Sequence, residues 1–381
     1  MLRSLRVLPV KEVPLDQAAH HFAAVPIVSS HDHPLFDNSA VDGYAFKFDH
    51  DRKSYRIVGA VAAGETLKDP IRAGECARIF TGAMMPEETD TVIMQEHVEV
   101  NDGSIELKDK KLRKGANVRR KAEQIKAGAN VIGSGGSLSP AAIGLIASVG
   151  VRKVQVHEWP YVTVIVTGNE FTEDEPCPGR IFSSNDHMLG AALERVGIKP
   201  RIIRVKDERQ TLSEALRQAV SQSDLVITTG GVSVGDHDLV PPVLQEIGAT
   251  IHFHKVAQKP GKPMLFATHG NTAIIGLPGN PRAVMILFWE YVLPAIRAMM
   301  GAKEPFLRSD ILPLSAPITM KGERCEFRAA KVKNGKVQLL RDEGSHMLAS
   351  LLQADALAFF PADVREVKAG EPVEIHYIPN T

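Results

Sequence analysis

The chain has 381 residues, enough for about two to four domains with separate cores. Lysine and arginine together number 45, as do aspartate and glutamate, so no global basic charge points to nucleic acid, and the 3 cysteines without a CxxC pair support neither a disulfide framework nor a structural zinc site. We find neither a signal-peptide pattern nor an uncharged apolar run of about eighteen residues, so we expect a protein of the reducing cytosol, without membrane contact.

Short apolar runs broken by glycine and proline characterise the front half. The runs YRIVGAV, CARIFTGA, DTVIMQEHVEV and SIELKD follow one another within residues 55–109. Such spacing predicts a β-rich module. The following stretch, residues 144–158, predicts a short helix and then a strand.

Alternating strand and helix patterns begin at Tyr161. Strand YVTVIVTG precedes helix NDHMLGAALERVG, and strand PRIIRV, helix TLSEALRQAVSQS and strand DLVITTG repeat the order. This alternation predicts a doubly wound, parallel α/β sheet. Ligands of such sheets bind beyond the carboxyl ends of the strands, so we expect the loops TGNE and TTGGVSVGD to line one pocket.

The segment DLVITTGGVSVGD, residues 224–236, joins a buried strand to a glycine-rich turn and a helix predicted from Asp238 to Ile247. Gly230, Gly231 and Gly235 permit positive φ and close approach of a ligand. Backbone N–H groups at such a turn suit phosphate, although the same pattern also marks an ordinary strand-to-helix connection.

Two proline-glycine turns follow the glycine-rich loop. KPGKP, residues 259–263, precedes one short strand, and LPGNP, residues 277–281, follows the next. Lys259 and Lys262 supply positive charge for a multiply charged anion, unless they are solvated hairpin lysines. Asn280 or Pro281 begins a long apolar segment that we predict to be a core helix packed on the sheet.

The tail begins at about Glu304 and contains alternating runs such as VKNGKVQLL and EPVEIHYI. Asn334 and Gly335 form a two-residue hairpin signal. A small β domain is expected here.

Eight motifs of this chain resemble, in order, those of the molybdopterin molybdenumtransferases, the MoeA and gephyrin E-domain family. They cover nearly the whole chain, and their joint order and spacing are far more specific than any one of them. They are FDNSAVDGYAF (36–46), RIFTGAMMP (78–86), VIMQE (92–96), TGNE (167–170), TTGGVSVGD (228–236), KPGKP, LPGNP and GSHM (344–347).

The resemblance implies a multidomain α/β and β fold. It places a linking domain at 1–28 and 127–157, a β-rich inserted domain at 29–126, an α/β molybdopterin-binding domain at 158–303 and a C-terminal β domain at 304–381. It also implies the function: transfer of molybdate onto adenylylated molybdopterin, with Mg²⁺-dependent loss of AMP. Molybdate and tungstate have nearly equal size and charge, so the sequence does not separate them.

The resemblance assigns catalytic roles to Asp42, Thr81, Glu170 and Lys262. Asp42, Glu170 and Asp238 are the expected Mg²⁺ ligands, since this ion takes one or two carboxylates together with phosphate oxygens and water. From the residues alone, Asp42 could equally cap a turn, Thr81 could be a β-bulge hydroxyl, and Asp238 could cap a helix.

The expected substrate-binding residues share glycine-rich, proline-rich or oxyanion-binding motifs. Arg328 and Ser345 of the tail are included because arginine and hydroxyl donors satisfy a tetrahedral dianion, although the match at Arg328 is looser. The full set is Gly230, Gly231, Ser233, Gly235, Asp236, Lys259, Pro278, Gly279, Asn280, Pro281, Arg328 and Ser345.

The resemblance also implies partners. The family is dimeric, so a second copy is expected to complete the cleft, and molybdopterin adenylyltransferase and apo-molybdoenzymes are further candidates. A cytoplasmic location follows from the same reasoning.

Three features depart from the family pattern. The segment RRKAEQI has Ala122 and Gln124 where the family commonly has glycine and aspartate, and Asn169 replaces the aspartate of the TGDE turn, which would weaken a metal bound there. Only 36 residues precede Asp37, fewer than in many relatives. The sequence around Asp32, HDH, suggests either a metal site or, preferably, a solvated loop.

Two other functions remain open. A non-catalytic molybdopterin-binding scaffold would keep the phosphate loops and lose carboxylates at residues 124 and 169. A pterin adenylyltransferase would share the central α/β unit, but the front half and the GSHM tail argue against it. Retention of Asp42, Thr81, Glu170 and Lys262 favours the molybdenumtransferase.

Overall fold

The elements of the chain follow the predicted order. The computed structural model describes residues 1–172, 175–232, 238–341, 344 and 347–379. The first strands are β1 (Val10–Pro14), β2 (Ile27–Val28), β3 (Asn38–Ser39), β4 (Gly43–Phe46), β5 (Ser54–Val61), β6 (Glu75–Ile79), β7 (Thr91–Met94), β8 (Val98–Asn101), β9 (Ser104–Leu107), β10 (Val118–Arg119) and β11 (Asn130–Ile132). Single helical turns occur at Leu2–Ser4, Leu15–Gln17 and Gln95–His97.

The central elements are α1 (Pro140–Ser148), β12 (Lys153–His157), β13 (Val162–Thr167), β14 (Phe171–Thr172), β15 (Ile181–Phe182), α2 (Asn185–Glu194), β16 (Arg201–Val205), α3 (Arg209–Gln222), β17 (Leu225–Thr229), α4 (Val240–Glu246), β18 (Thr250–His254), β19 (Gln258–Lys259), β20 (Leu265–His269) and β21 (Thr272–Leu277). A continuous helix follows, made of α5 (Pro281–Leu287), a π-helical segment (Phe288–Val292) and α6 (Leu293–Met299).

The tail contains β22 (Ser309–Pro313), β23 (Ile318–Thr319), β24 (Cys325–Lys333), β25 (Lys336–Leu339), α7 (Ala349–Gln353), β26 (Ala356–Phe360), β27 (Glu366–Val367) and β28 (Pro372–Tyr377). No helix in these described ranges is long and apolar enough to cross a membrane.

The front half forms the expected β-rich module. Six of its strands make one sheet in the order β7-β4-β6-β5-β9-β8. Two small cores, one around Tyr55 and Phe46 and one around Ile79 and Val92, lie on this module. The strands on either side of the module pair with each other, β1 with β12 and β2 with β11, so the segments before and after it form one linking unit.

The central sheet has helices on both faces, as predicted, but it is mixed rather than wholly parallel. Its order is β16-β13-β17-β21-β20-β18, and the first four strands are parallel. Strand β20 is antiparallel to both of its neighbours, β21 and β18. A two-residue turn connects β20 to β21, whereas the segment between β18 and β20 contains β19. Successive side chains of β13 pack on opposite faces of the sheet: Val164 packs toward α2 and α5, whereas Ile165 packs toward α3 and α4.

The tail is the predicted β domain. Strands β24, β26, β28 and β22 form an antiparallel sheet, and Asn334 and Gly335 both have positive φ, 50° and 69°, in the predicted hairpin turn between β24 and β25. One strand comes from outside the tail: β19, which contains Lys259, pairs in parallel with the start of β24. The KPGKP turn is therefore attached to the tail sheet as well as to the α/β unit.

Candidate functional site

A cleft lies at the carboxyl ends of β13 and β16. It has a volume of about 750 Å³ and includes Gly168 and Asn169 of the TGNE turn. Its ionisable wall residues are Arg180, His187, Arg204, Lys206 and Glu208, and its aromatic wall residues are Phe171 and Phe182. A cleft with several basic groups and two aromatic rings is suited to a ligand that combines phosphate with a planar ring.

A buried carboxylate, Asp186, pairs with the more exposed Arg204 of this cleft. Asp186 is 2% exposed and accepts hydrogen bonds from Ser183 Oγ at 2.8 Å, from the N–H of His187 at 2.9 Å and from Arg204 Nε at 2.6 Å. Burial alone would raise the pKa of Asp186, but these hydrogen bonds and the guanidinium charge lower it overall. The carboxylate is therefore ionised and orients Arg204 at the cleft wall.

The TGNE turn explains one departure from the family pattern. Asn169 Oδ1 accepts the backbone N–H of Asp207 at 3.2 Å, so the amide oxygen holds the loop after β16, as a carboxylate oxygen also could. Glu170 is exposed and lies against Gly168, where an added Cβ would be 2.4 Å from Glu170 Oε2. A side chain at position 168 would therefore displace Glu170 and also Phe171, whose Cε2 would lie 2.5 Å from the added Cβ.

The glycine-rich loop has the predicted backbone. Gly230 and Gly231 have φ of +92° and +62°, and a Cβ on Gly230 would lie 2.6 Å from the carbonyl oxygen of Thr167. Close packing against the TGNE strand end therefore excludes a side chain at residue 230. Ser233, Gly235 and Asp236 lie outside the described residues, and the helix after Asp238 begins at Val240 rather than at residue 238.

The LPGNP turn starts a helix at the same edge, as predicted. Asn280 is the N-cap, its side chain accepts the N–H of Arg282 at 3.2 Å, and α5 begins at Pro281. Arg282 is 2% exposed and donates to the carbonyl oxygen of Met347 at 3.4 Å and to Ser350 Oγ. The turn is thereby joined to the tail segment that contains GSHM, of which Ser345 lies outside the described residues.

The KPGKP lysines differ in their environment. Lys259 Nζ lies 3.5 Å from Oε1 of Glu326, a carboxylate that is 4% exposed, and Arg328 donates to the other oxygen of Glu326 at 2.9 and 2.7 Å. Glu326 therefore offsets part of the positive charge that Lys259 and Arg328 would present to an anion. Lys262 is exposed, and its side chain makes no hydrogen bond or ion pair with the part of the chain that the structure describes.

Asp42 and Thr81 meet on the inserted module. Asp42 Oδ1 accepts both the N–H and the O–H of Thr81 at 2.8 Å, and these bonds, together with Arg78, lower the pKa of Asp42. Gly43 follows, and a Cβ there would lie 1.9 Å from the carbonyl oxygen of Ile93. Three of the family-like motifs converge because β4 pairs with both β6 and β7.

The two halves of the expected site make no direct polar contact with each other within one chain, as far as the structure describes it. No hydrogen bond or ion pair among the described residues joins Asp42 or Thr81 to Glu170 or Lys262. Nor does any described group of three or more histidine, cysteine, aspartate or glutamate side chains form a potential metal centre. Asp42, Glu170 and Asp238 therefore do not make a preformed carboxylate cage in a single chain.

The remaining departures occupy other places. Gln124 lines a second cavity of about 620 Å³ with His33, Asn38 and Arg119, away from Asn169. Ala122 has φ of +62°, a left-handed conformation that glycine adopts without strain. Asp32 accepts the N–H of Ala127 at 2.8 Å and lies 3.4 Å from Lys121, which is a structural role rather than a metal site.

Two buried carboxylates that pair with cationic residues of the expected site were not predicted from the sequence. Asp186 and Glu326 escaped notice because their partners, Arg204 and Lys259, are distant in the chain. The one local signal was the spacing of Glu326 and Arg328, since residues two apart on a strand share a face.

Comparisons with known proteins cover the whole architecture. Residues 1–150 match a family model described as MoeA N-terminal region (domain I and II). Residues 163–298 match one described as probable molybdopterin binding domain, and residues 312–378 match the MoeA C-terminal region (domain IV).

Full-length relatives and solved structures agree with these matches. The chain is 35% identical to a molybdopterin molybdenumtransferase of Nostoc sp. over 375 residues, which covers 93% of this chain and 86% of the relative. It is 33% identical to the Haemophilus influenzae protein of the same name, over 95% of this chain and 92% of the relative. A crystal structure of the molybdopterin biosynthesis MoeA protein from Pyrococcus horikoshii superposes with a TM-score of 0.82 at 27% identity, covering 99% of this chain and 97% of that one.

Proposed function

This chain belongs to the MoeA family of molybdopterin molybdenumtransferases, and we propose that it transfers molybdate onto adenylylated molybdopterin and releases AMP. It is thus an enzyme of molybdenum cofactor biosynthesis. The observation that carries the proposal is the basic and aromatic cleft at Gly168 and Asn169, which suits a substrate made of two planar rings joined through phosphates. Gly230, which starts the glycine-rich loop, packs against Thr167, the residue before Gly168.

We assign the substrate phosphates to the glycine-rich loop, the LPGNP turn and the guanidinium of Arg204. Arg204 is held by buried, ionised Asp186, so its charge is oriented before the substrate arrives. Molybdate is assigned to Lys262, with Arg328 and Ser345 as further donors and Lys259 partly offset by Glu326. Lys262 supplies a compact positive charge for the dianion.

Mg²⁺ would be bound jointly by carboxylates of the protein and phosphate oxygens of the substrate. This ion prefers one or two carboxylates with phosphate oxygens and water, and Asp42 is exposed, ionised and oriented by Thr81. Glu170 and Asp238 are the other proposed ligands. When bound, the ion would neutralise charge on the phosphate oxygens as AMP leaves.

We further propose that the functional unit is a cytoplasmic homodimer in which Asp42 and Thr81 of one copy face the α/β cleft of the other. The absence of a described cluster that unites Asp42 with Glu170 and Asp238 in one chain supports this arrangement. Mixing two inactive variants tests it: Asp42→Asn and Glu170→Gln homodimers are exchanged and assayed together. If each site takes one residue from each copy, random exchange restores about a quarter of the wild-type activity. Activity that stays at the level of the separate variants refutes the shared site.

The activity itself is tested by AMP release from adenylylated molybdopterin, with molybdate and Mg²⁺ each present or omitted. The proposed enzyme releases AMP and yields a product that activates an apo-molybdoenzyme, its expected downstream partner. The alternative, a non-catalytic molybdopterin-binding scaffold, would bind the substrate and release no AMP under any condition.

A parallel reaction with tungstate measures the selectivity between the two ions, and pull-down with molybdopterin adenylyltransferase tests the proposed upstream partner.

A further inference from the structure

Asn185 is a buried amide that joins the start of the glycine-rich loop to the LPGNP turn. It is the first residue of α2 and is 6% exposed. Its Nδ2 donates one hydrogen bond to Thr229 Oγ1 and a second to the carbonyl oxygen of Gly279, each at 2.8 Å. Thr229 ends the strand before the glycine-rich loop, whereas Gly279 lies at the centre of the LPGNP turn.

Thr229 extends this connection. Because its hydroxyl accepts from Asn185, its own hydrogen is available, and it donates to the carbonyl oxygen of Pro278 at 3.1 Å. The N–H of Gly230 donates to the carbonyl oxygen of Leu277 at 3.2 Å. Consecutive carbonyl groups of the turn are thus bonded to the strand end, and a Cβ on Gly279 would lie 3.8 Å from Gly230 Cα.

A role in the stability of α2 alone does not explain this residue. The N-cap of α2 is Ser184, and Asn185 makes its side-chain bonds to other segments. Its Oδ1 is buried and has no hydrogen-bond partner among the described residues. A buried acceptor without a partner is unfavourable, so the amide stabilises a loop geometry at a cost that an apolar side chain would avoid.

We propose that Asn185 is a positioning residue that fixes the distance between the glycine-rich loop and the LPGNP turn. The inference rests on the proposed function, because the ligand held between these loops is the phosphate bridge of adenylylated molybdopterin. Asn185 acts through the backbone of both loops and through Thr229. Since a displacement of about 1 Å in a positioned group reduces turnover about a hundredfold, loss of this connection affects the reaction more than the fold.

The variants Asn185→Ala and Thr229→Val each remove the connection. We expect both to lower kcat/KM for adenylylated molybdopterin by about a hundredfold, and the double variant to lower it little further, because both residues act in one network. Thr229→Ser keeps the hydroxyl and should restore most of the wild-type value. Asn185→Asp keeps the size but sets a carboxylate oxygen against the carbonyl oxygen of Gly279, so it should fail like alanine.

Thr272→Val is the matched control. Thr272 is a buried threonine at the amino end of β21, the strand that leads to LPGNP, and its hydroxyl donates to the carbonyl oxygens of Val220 and Ser223 at 2.9 and 2.7 Å. The control loses comparable buried hydrogen bonds far from the cleft. It should lower the urea midpoint as Thr229→Val does and leave kcat/KM at the wild-type value.

Two results would overturn the inference. One is a wild-type kcat/KM for Asn185→Ala, and the other is an equal loss of kcat/KM in Thr272→Val and Thr229→Val, which would reduce the effect to stability. Equilibrium dialysis with adenylylated molybdopterin separates this inference from the proposed function. If wild type binds the substrate but releases no AMP, the proposed function fails. The positioning role is still supported in that case if Asn185→Ala binds the substrate at least tenfold more weakly than Thr272→Val does. Equal binding by the two variants refutes the positioning role.

Discussion

The ion pair of Asp186 and Arg204 permits a prediction about both stability and turnover. Asp186→Asn removes a buried charge that accepts three hydrogen bonds, while Arg204 keeps a side chain that is 42% exposed. Breaking a buried pair typically costs about 3 to 5 kcal/mol, but the exposed guanidinium regains water, so we expect about 1 to 2 kcal/mol. The urea midpoint of the α/β unit should fall accordingly.

The same variant should lose substrate affinity, because the guanidinium is no longer oriented at the cleft wall. We expect a higher KM for adenylylated molybdopterin in the AMP-release assay. Glu194→Gln is the control: it removes an exposed charge at the other end of α2 and should match wild type in both assays.

The pH dependence adds a third measurement. The pKa of Asp186 is lowered in the folded protein, so its stabilisation is fully present above the unfolded value of about 4 and is lost as the pH falls through the folded value. Wild type should therefore lose stability below about pH 4 more steeply than Asp186→Asn. Equal acid slopes, with an unchanged KM, would refute the assigned role of the pair.

Three further predictions follow from single residues. Lys262→Ala should raise the half-saturating molybdate concentration by about 10- to 100-fold, as expected for a lost charge-assisted contact. The control Lys199→Ala removes an exposed lysine outside the cleft and should leave that concentration unchanged. If Lys262→Ala changed only the affinity for the pterin, Lys262 would be reassigned to the substrate phosphates. Ala122→Gly should raise the free energy of unfolding by about 0.5 to 1 kcal/mol, because relief of the strain of a left-handed backbone exceeds the cost of the added conformational entropy of the unfolded chain. A lower free energy of unfolding, measured by urea denaturation, would contradict this. Burial lowers the pKa of His376, but its hydrogen bonds and charge interactions with Glu290, 2.9 Å away, and with Glu374 raise the pKa by more, so the pKa is raised overall. The free energy of unfolding should therefore fall as the pH rises above about 6.5. His376→Gln should remove this pH dependence, measured as the urea midpoint across the same range.

Local patterns were sufficient to predict most elements. The i, i+3, i+4 spacing of Leu212, Ala215 and Leu216 predicted α3, and the pair Asn334 and Gly335 predicted the hairpin between β24 and β25. These signals depend on neighbours within a few residues, so they survive without knowledge of the fold. The resemblance to the MoeA family, which the full-length comparisons confirm, supplied the order of the domains.

Long-range pairing was not predictable in the same way. The antiparallel pairing of edge strand β18 with β20, the entry of β19 into the tail sheet and the pairing of Glu326 with Lys259 each join segments whose contact no local pattern encodes. Asn185 is the clearest case at the site. In the sequence it is a polar residue at a helix start, and its bonds to Thr229 and Gly279 appear only when α2, β17 and the LPGNP turn are packed together.

The most direct test of the account is to count both products of the wild-type reaction. Purified protein is incubated with adenylylated molybdopterin, Mg²⁺ and limiting molybdate, and the AMP released is compared with the molybdenum recovered in pterin. A molybdenumtransferase gives equal amounts of the two, and Asp42→Asn strongly reduces both together. Substrate that is bound without release of AMP, or AMP released without molybdenum entering the pterin, would contradict the proposed reaction.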